Sequence, residues 1–145
     1  MRKPAPDAAI ITGVLLTTVG YLLPWFRLTP RYEWWYSGTR YLSEGAGWTG
    51  WVYVCLGLTL VAALYAGTSL DAAMAATVAG GASALFAVAV VAFSFAQYNG
   101  DRGISWAQDM PFGIGLPVLA AGFGLLAAAC IRAVATNAIV VSSPN

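Results

Sequence analysis

The sequence predicts an all-α membrane protein: a transmembrane bundle of four helices forming one domain over residues 1–145, with a long aromatic-rich loop between the first two helices. Hydrophobic residues make up 59% of the 145 residues, against roughly 45–50% in soluble domains. Charged residues make up 9%, against about 25%, so a folded chain cannot cover its surface with polar groups. The apolar residues also fall into four runs, each near the ~20 residues that cross a hydrocarbon core.

The four runs are the predicted membrane spans, and they extend over residues 8–26, 48–65, 72–96 and 112–135. Because backbone groups in lipid need partners within the protein, we expect each run to be a helix. Arg132, near the end of the fourth run, is the one charged residue they contain. We expect the first run to be retained as a helix, because bulky residues follow it where a signal-peptide cleavage site needs small ones.

Four spans place the loops 27–47 and 97–111 on one membrane face, and the termini with the turn 66–71 on the other. The basic residues divide almost evenly between these faces. We predict a multipass protein of the cell membrane with cytoplasmic termini, because Arg2 and Lys3 precede the first helix, which often dominates insertion. In the loops, Glu33 is expected to form an ion pair with Arg27 or Arg31, and Asp101 is expected to form one with Arg102.

Several classes of function are disfavoured. The chain has no histidine and a net charge of +1, which removes the commonest acid–base group and metal ligand and any bulk attraction to nucleic acid. Cys55 and Cys130 lie in separate apolar runs, in no pattern typical of a disulfide framework or zinc site. No carboxylate lies in the middle of a predicted span, where proton-coupled transport would need one. We therefore predict no enzymatic activity, no cofactor, no metal and no nucleic-acid partner.

Aromatic residues are concentrated on the loop face. Trp25, Phe26, Trp48 and Trp51 flank the first two helices and are predicted to form an interfacial belt. Others lie within the loops themselves, and they are the candidate surface for a partner or a lipid: Tyr32, Trp34, Trp35, Tyr36 and Trp106. These loop aromatics either fold back as a cap on the helices or contact another molecule, because large aromatic side chains are enriched at interfaces.

Small residues recur at a spacing of four in the last two spans, namely Ala76, Gly80 and Ala84 in the third and Ala120, Gly124 and Ala128 in the fourth. Residues at this spacing share one helix face, and small faces let membrane helices approach closely. We predict that these two faces pack together within one chain, with a dimer contact as the alternative.

The first helix ends in the stretch Gly20-Tyr21-Leu22-Leu23-Pro24-Trp25. A Gly…Leu-Pro-Trp stretch at this position resembles small prokaryotic four-helix membrane proteins of unknown function. The layout of a long first loop, a short turn and a shorter second loop is similar to the claudins, but the first loop lacks the paired cysteines of that family. The resemblance covers the chain as topology and implies no functional residue.

Three functions remain open. The leading hypothesis is a non-enzymatic accessory or scaffold subunit, whose partners are the lipid bilayer and another membrane protein or a second copy, recognised through the aromatic loop. The first alternative is a small channel or transporter for an uncharged or lipidic substrate, which predicts a cavity between helices. The second alternative is a viral or membrane-permeabilising protein.

Overall fold

A computed structural model describes residues 5–28, 31–32, 37–102 and 112–142, with the backbone alone for 27–28, 31–32 and 97–102. Within these residues the regular structure is helical apart from two short strands and one isolated bridge, and turns and irregular residues connect these elements. The helices are α1 (Ala8–Leu22), α2 (Gly38–Ser43), α3 (Trp51–Ala63), α4 (Leu70–Arg102) and α5 (Gly115–Ser142). A 3-10 turn, Gly47–Gly50, leads into α3. The strands β1 (Arg27–Leu28) and β2 (Arg31–Tyr32) pair antiparallel.

Both ends of α1 have a local cause. Asp7 caps the start of the helix, and its Oδ1 accepts hydrogen bonds from the amides of Ala9 and Ile10 at 3.0 and 3.1 Å. The helix ends at Leu22 because Leu23 precedes a proline, which disfavours helical backbone, and Leu23 is extended with φ −72° and ψ 151°. The last residues of the predicted run 8–26 therefore lie outside the helix.

Two helical segments are long and apolar enough, by length and composition, to cross a membrane. They are Leu70–Ala96 within α4 and Gly115–Ser142, with mean hydropathies of 2.1 and 2.0. Ala8–Leu22 and Gly47–Ala63 are apolar but shorter. The fourth predicted run shifts along the chain, since its helix begins at Gly115 rather than 112 and continues to Ser142 rather than 135.

The helices pack side by side, each against a neighbour that runs the opposite way. Helix α1 has its most extensive contact with α5, and α3 packs against α4, which also contacts α5. At one end, the amide of Asp7 donates to the carbonyl of Ala63 at 2.9 Å, joining the start of α1 to the end of α3. At the other end, the amide of Gly113 donates to the carbonyl of Trp25 at 2.7 Å.

The closest helix–helix approach is between α1 and α5. A Cβ added to Gly122 would lie 2.5 Å from the backbone nitrogen of Thr17, and one added to Gly13 would lie 2.9 Å from the Cα of Leu126. A Cβ on Gly20 would likewise collide with the backbone of Leu119. This close approach therefore requires glycine on α1 and also on α5.

The predicted small-residue faces of α4 and α5 differ from each other in burial. On α4, Ala76 and Gly80 are buried and Ala84 is half-buried. The α5 set is exposed throughout: Ala120, Gly124 and Ala128. A Cβ on Gly124 would have no atom within 4 Å. The glycine of α5 that meets another helix is Gly122, and the helix it meets is α1.

The hydroxyl groups of the helices are mostly bonded to their own backbone. Thr18 donates to the carbonyl four residues earlier at 2.8 Å, as do Thr12, Thr59 and Thr77. Thr17 differs, because its buried Oγ1 has no hydrogen-bond partner in the part of the chain that the structure describes. This hydroxyl lies at the close contact with Gly122.

Candidate recognition surface and apolar cleft

The chain between α1 and α3 folds back onto the ends of the helices. Ser37 and Tyr41 are buried, and the Ser37 Oγ accepts from the amide of Arg40 at 3.3 Å, which caps α2. The Tyr41 hydroxyl donates to the Ser94 Oγ of α4 at 3.0 Å. Helix α2, which lies in a segment predicted only as loop, is thus fastened to α4.

Tyr21 fastens the same segment to α1. Its hydroxyl donates to the carbonyl of Thr49 at 2.8 Å, and its ring meets the edge of the Tyr53 ring at a centroid distance of 5.1 Å. Gly38 lies so close to the Tyr21 ring that a Cβ there would overlap it. The loop face is therefore covered by a structured cap, formed by residues 37–50, at this end of the helices.

Two aromatics of the predicted belt are in the protein interior. Trp25 and Phe26 are fully buried, so the expectation of an interfacial position is wrong for both. The Trp25 indole donates to the carbonyl of Gly20 at 3.0 Å, and Phe26 packs edge-on against Phe95. Both residues lie beyond the end of α1, and Phe26 forms an antiparallel bridge with Phe112. In contrast, Trp48 and Trp51 are 40% and 54% exposed, and their place in a belt stays a prediction.

The predicted recognition residues lie almost entirely beyond the described part of the chain. Tyr32 is described as backbone, in β2, and the others lie outside the described residues: Trp34, Trp35, Tyr36 and Trp106. The predicted ion pairs of the two loops also lie outside the described side chains. The structure does describe what borders residues 33–36 on their carboxyl side, namely the buried Ser37 and the cap that follows it.

A shallow depression of about 280 Å³ lies beside that border. Its lining combines polar side chains with the end of α1: Leu22, Ser37, Thr39, Arg40 and Ser43. The Arg40 guanidinium pairs with Glu44 one turn later at 2.9 Å, and both side chains are exposed. This depression and the cap are the described portion of the candidate recognition surface.

The opposite end of the molecule carries an ion pair that no pattern in the sequence predicts. The Arg132 Nη2 donates to both carboxylate oxygens of Asp7, at 2.6 and 2.8 Å. The Asp7 side chain is 8% exposed and that of Arg132 is 60% exposed. Nearby, the side-chain amide of Asn137 donates to the carbonyl oxygen of Ala66 at 2.9 Å. Together these contacts tie α5 to the start of α1 and to the turn after α3.

An apolar cleft of about 460 Å³ separates the outer faces of α4 and α5. The α4 side is lined by small residues, and the α5 side carries both small and larger ones: Thr77, Gly80, Gly81, Ala84, Phe123, Gly124, Leu126, Ala127, Cys130 and Ile131. Three of the six residues predicted to bring α4 and α5 together therefore line a gap between them. They are Gly80, Ala84 and Gly124.

Chemically reactive groups are sparse in the described structure. Cys55 and Cys130 are free and buried on different helices. Among the described residues, no group of three His, Cys, Asp or Glu side chains could hold a metal ion. The cap with its depression and the α4–α5 cleft are two described features that could engage another molecule.

No family model, curated protein or solved structure matches this chain.

Proposed function

We propose that this chain is a non-enzymatic, multipass protein of the cell membrane and that it acts as an accessory or scaffold subunit. Its four apolar helices form a transmembrane bundle with cytoplasmic termini, and the aromatic loop recognises another membrane protein or a lipid. The observation that carries the membrane assignment is that the most apolar helices leave most of their residues exposed. Only 28% of the most apolar 18-residue stretch of α4 and 33% of that of α5 is buried.

This exposure argues against a water-soluble fold. A core helix of a soluble protein hides its apolar residues, and contiguous apolar patches beyond a few hundred Å² are rare on soluble monomers. Here α1, α3, α4 and α5 each present large apolar side chains outward. Examples, one from each helix in that order, are Leu15 at 57%, Leu58 at 58%, Leu85 at 75% and Ile131 at 68% exposure. Lipid is the solvent in which such a surface is stable.

Helix α1, one of the shorter helices, is compatible with spanning as well. Helix α1 has 15 residues, which rise about 22 Å, and extended residues add about 3.3 Å each. Irregular backbone is tolerated at membrane depth where the protein itself supplies hydrogen-bond partners. The carbonyls of Pro24 and Trp25 accept from the amides of Gly115 and Gly113 at 3.1 and 2.7 Å. The residues after α1, of which Leu23 is extended, can therefore complete the crossing.

The accessory role is supported by the position of the aromatic loop. Residues 33–36 lead directly into Ser37 and a cap that is hydrogen-bonded to both α1 and α4. A rigid support lowers the entropy cost of binding through adjacent side chains. The aromatic run Trp34-Trp35-Tyr36 is the part of this face with the composition of a binding hot spot.

The test compares partner recovery between two double variants. Tagged wild type, Trp34→Ala/Trp35→Ala and Trp51→Ala/Tyr65→Ala are purified from native membranes in mild detergent and analysed by mass spectrometry. The second pair is the matched control, because it removes two exposed aromatic side chains that lie outside the cap. We expect a stoichiometric partner with the wild type and the control, and its loss with the loop variant. Equal recovery with both variants would refute recognition through the loop.

The membrane assignment has its own measurement. After alkaline extraction of the membranes, the wild-type chain and both variants should stay in the pellet. Release of the wild-type chain into the supernatant would refute a multipass protein. Tags at the two termini should be protected from external protease in intact cells, and digestion of either tag would contradict cytoplasmic termini.

A further inference from the structure

The outer face of α1 is short and has charged groups at both ends. Helix α1 has 15 residues, which rise about 22 Å. At its start lies the ion pair between Asp7 and the exposed side chain of Arg132. At its end, the depression beside Leu22 is lined by Arg40, whose exposed guanidinium pairs with Glu44. The apolar outer face of α1 therefore extends about 22 Å between two charged boundaries.

The chain after Leu22 does not lengthen this outer face. Trp25 and Phe26 are fully buried, so they continue the crossing in the protein interior while the cap lies beside Leu22 on the outside. At the other boundary, the guanidinium of Arg132 is held at the level of the helix start, because Asp7 is buried there as the cap residue of α1.

Helix α3 gives nearly the same length from a different kind of residue. Trp51 and Tyr65 are 54% and 49% exposed. They lie fourteen positions apart, which corresponds to about 21 Å along a helix. Trp and Tyr side chains favour the boundary between hydrocarbon and head groups. Because α3 packs against α1, their outer faces adjoin, and together they are called the thin side.

Helix α4 has a much longer apolar segment. Leu70–Ala96 comprises 27 residues, which rise about 40 Å and exceed a hydrocarbon core of about 30 Å. Helices α1 and α4 both pack against α3 and α5, which places them at opposite corners of the bundle. The thin side is shorter than such a core by about 8 Å.

The residues of the thin side favour lipid over a second copy of the chain as its neighbour. Membrane helices that pack against each other present small residues, as α1 and α5 do through Gly13, Gly20 and Gly122. The middle of the thin side presents larger, branched residues, all exposed: Leu15, Val19, Val54, Leu58 and Val61. Its ends carry the aromatic and basic side chains that anchor a helix among head groups.

We propose that the thin side is a lipid-facing surface matched to a hydrocarbon core of about 22 Å, so that the protein thins the bilayer beside α1 and α3. The inference rests on the membrane location proposed above. A span that is shorter than the surrounding core is accommodated by thinning of the bilayer, by movement of flanking side chains or by oligomerisation. The fixed ion pair opposes the second and the large outer residues oppose the third. Phospholipids with short acyl chains are the partners that suit this surface.

Spin labels on the outer face of α1 test the thinning. The two native cysteines are buried and are replaced by alanine. Labels are then attached one at a time to Ala8→Cys, Leu15→Cys and Leu22→Cys, at exposed positions spaced by seven. The full-length chain is reconstituted in vesicles of dioleoyl-phosphatidylcholine. Electron paramagnetic resonance measures the depth of each label from its collisions with oxygen, which is enriched in hydrocarbon, and with a water-soluble nickel complex.

Helix α4 supplies matched control positions. Labels at Val78→Cys, Leu85→Cys and Ala92→Cys have the same spacing and are also at exposed positions. The apolar segment of α4 continues beyond both outer labels, so these labels should lie within the hydrocarbon.

We expect the labels at Ala8 and Leu22 to lie at head-group depth, with a several-fold lower ratio of oxygen to nickel collisions than at Leu15. The labels at Val78 and Ala92 should keep a high ratio. A high ratio at Ala8 or Leu22, equal to that of the α4 labels, would overturn the proposal. Exclusion of both reagents from Leu15 would also overturn it, because protein would then cover the thin side. A low ratio at all six positions would instead refute the membrane location itself.

Discussion

Two glycines of α5, two positions apart, provide a direct measure of the α1–α5 contact. A methyl group at Gly122 would lie 2.5 Å from the backbone nitrogen of Thr17, 2.6 Å from its Oγ1 and 2.7 Å from its Cα. Carbon atoms at optimal separation lie about 3.5–4.0 Å apart, so α1 and α5 must separate by roughly 1 Å. At Gly124 the same methyl group meets no atom within 4 Å.

The magnitude follows from the difference between the two alanine variants. Overpacking a close contact typically costs about 1–3 kcal/mol, and the upper end applies to Gly122→Ala because the obstructing atoms belong mainly to backbone. Replacing helical glycine by alanine returns about 1 kcal/mol through helix propensity. That gain is common to both variants and cancels. We therefore expect Gly122→Ala to be less stable than Gly124→Ala by about 3 kcal/mol, or roughly 100-fold in the folding equilibrium.

The assay is reversible unfolding in mixed dodecyl maltoside and dodecyl sulfate micelles, followed by circular dichroism of the helices. The free energy of unfolding is compared among the wild type, Gly122→Ala and Gly124→Ala. If the two variants agree within about 0.5 kcal/mol, the scatter of independent surface substitutions, α1 does not approach α5 at Gly122. If Gly124→Ala is the less stable variant, the close contact lies on the face that the small-residue spacing predicted.

Two further predictions concern polar groups in the same helices. Thr17→Val replaces a buried hydroxyl, which has no partner among the described residues, by a methyl group of similar size. We expect the free energy of unfolding to rise by about 0–1 kcal/mol. A fall in the free energy of unfolding by more than about 1 kcal/mol would indicate that the hydroxyl is hydrogen-bonded. Asp7→Asn, Arg132→Met and the double variant form a double-mutant cycle for the ion pair, in which asparagine keeps the helix cap. Because the Arg132 side chain is 60% exposed, we expect a coupling energy of only about 1 kcal/mol, and additive effects would show that the pair contributes nothing to stability.

The helical segments could be predicted from the sequence because they depend on local composition. Apolar runs of sufficient length mark α4 and α5, and Asp7 before Ala8 is a typical helix cap. The end of α1 could also have been read from Pro24, which disfavours helix at the residue before it. The short helix α2 was missed because its stability comes from distant partners such as Ser94, which lies far along the chain.

The packing faces could not be predicted in the same way. A helix that is apolar on every side gives no periodic signal to distinguish its buried side from its exposed side. The spacing of four in Ala120, Gly124 and Ala128 therefore indicated a smooth face but not its neighbour. One signal was available in Gly13 and Gly20, because residues seven apart share a helix face. The contact between Asp7 and Arg132 joins positions 125 residues apart, and no local pattern identifies it.

The pairing of α1 with α5 also has a consequence for biosynthesis. Gly13, Thr17 and Gly20 face a helix whose residues are translated about a hundred positions later. At about 5–20 residues per second, α1 waits on the order of 5–20 s for α5 to emerge. During that interval its glycine-rich side has no protein partner, whereas α3 and α4 can already associate as neighbours in the chain. Ribosome-bound chains that end before Gly115 should therefore be the stage at which α1 is most open to chaperones, to proteases or to pairing with the wrong helix.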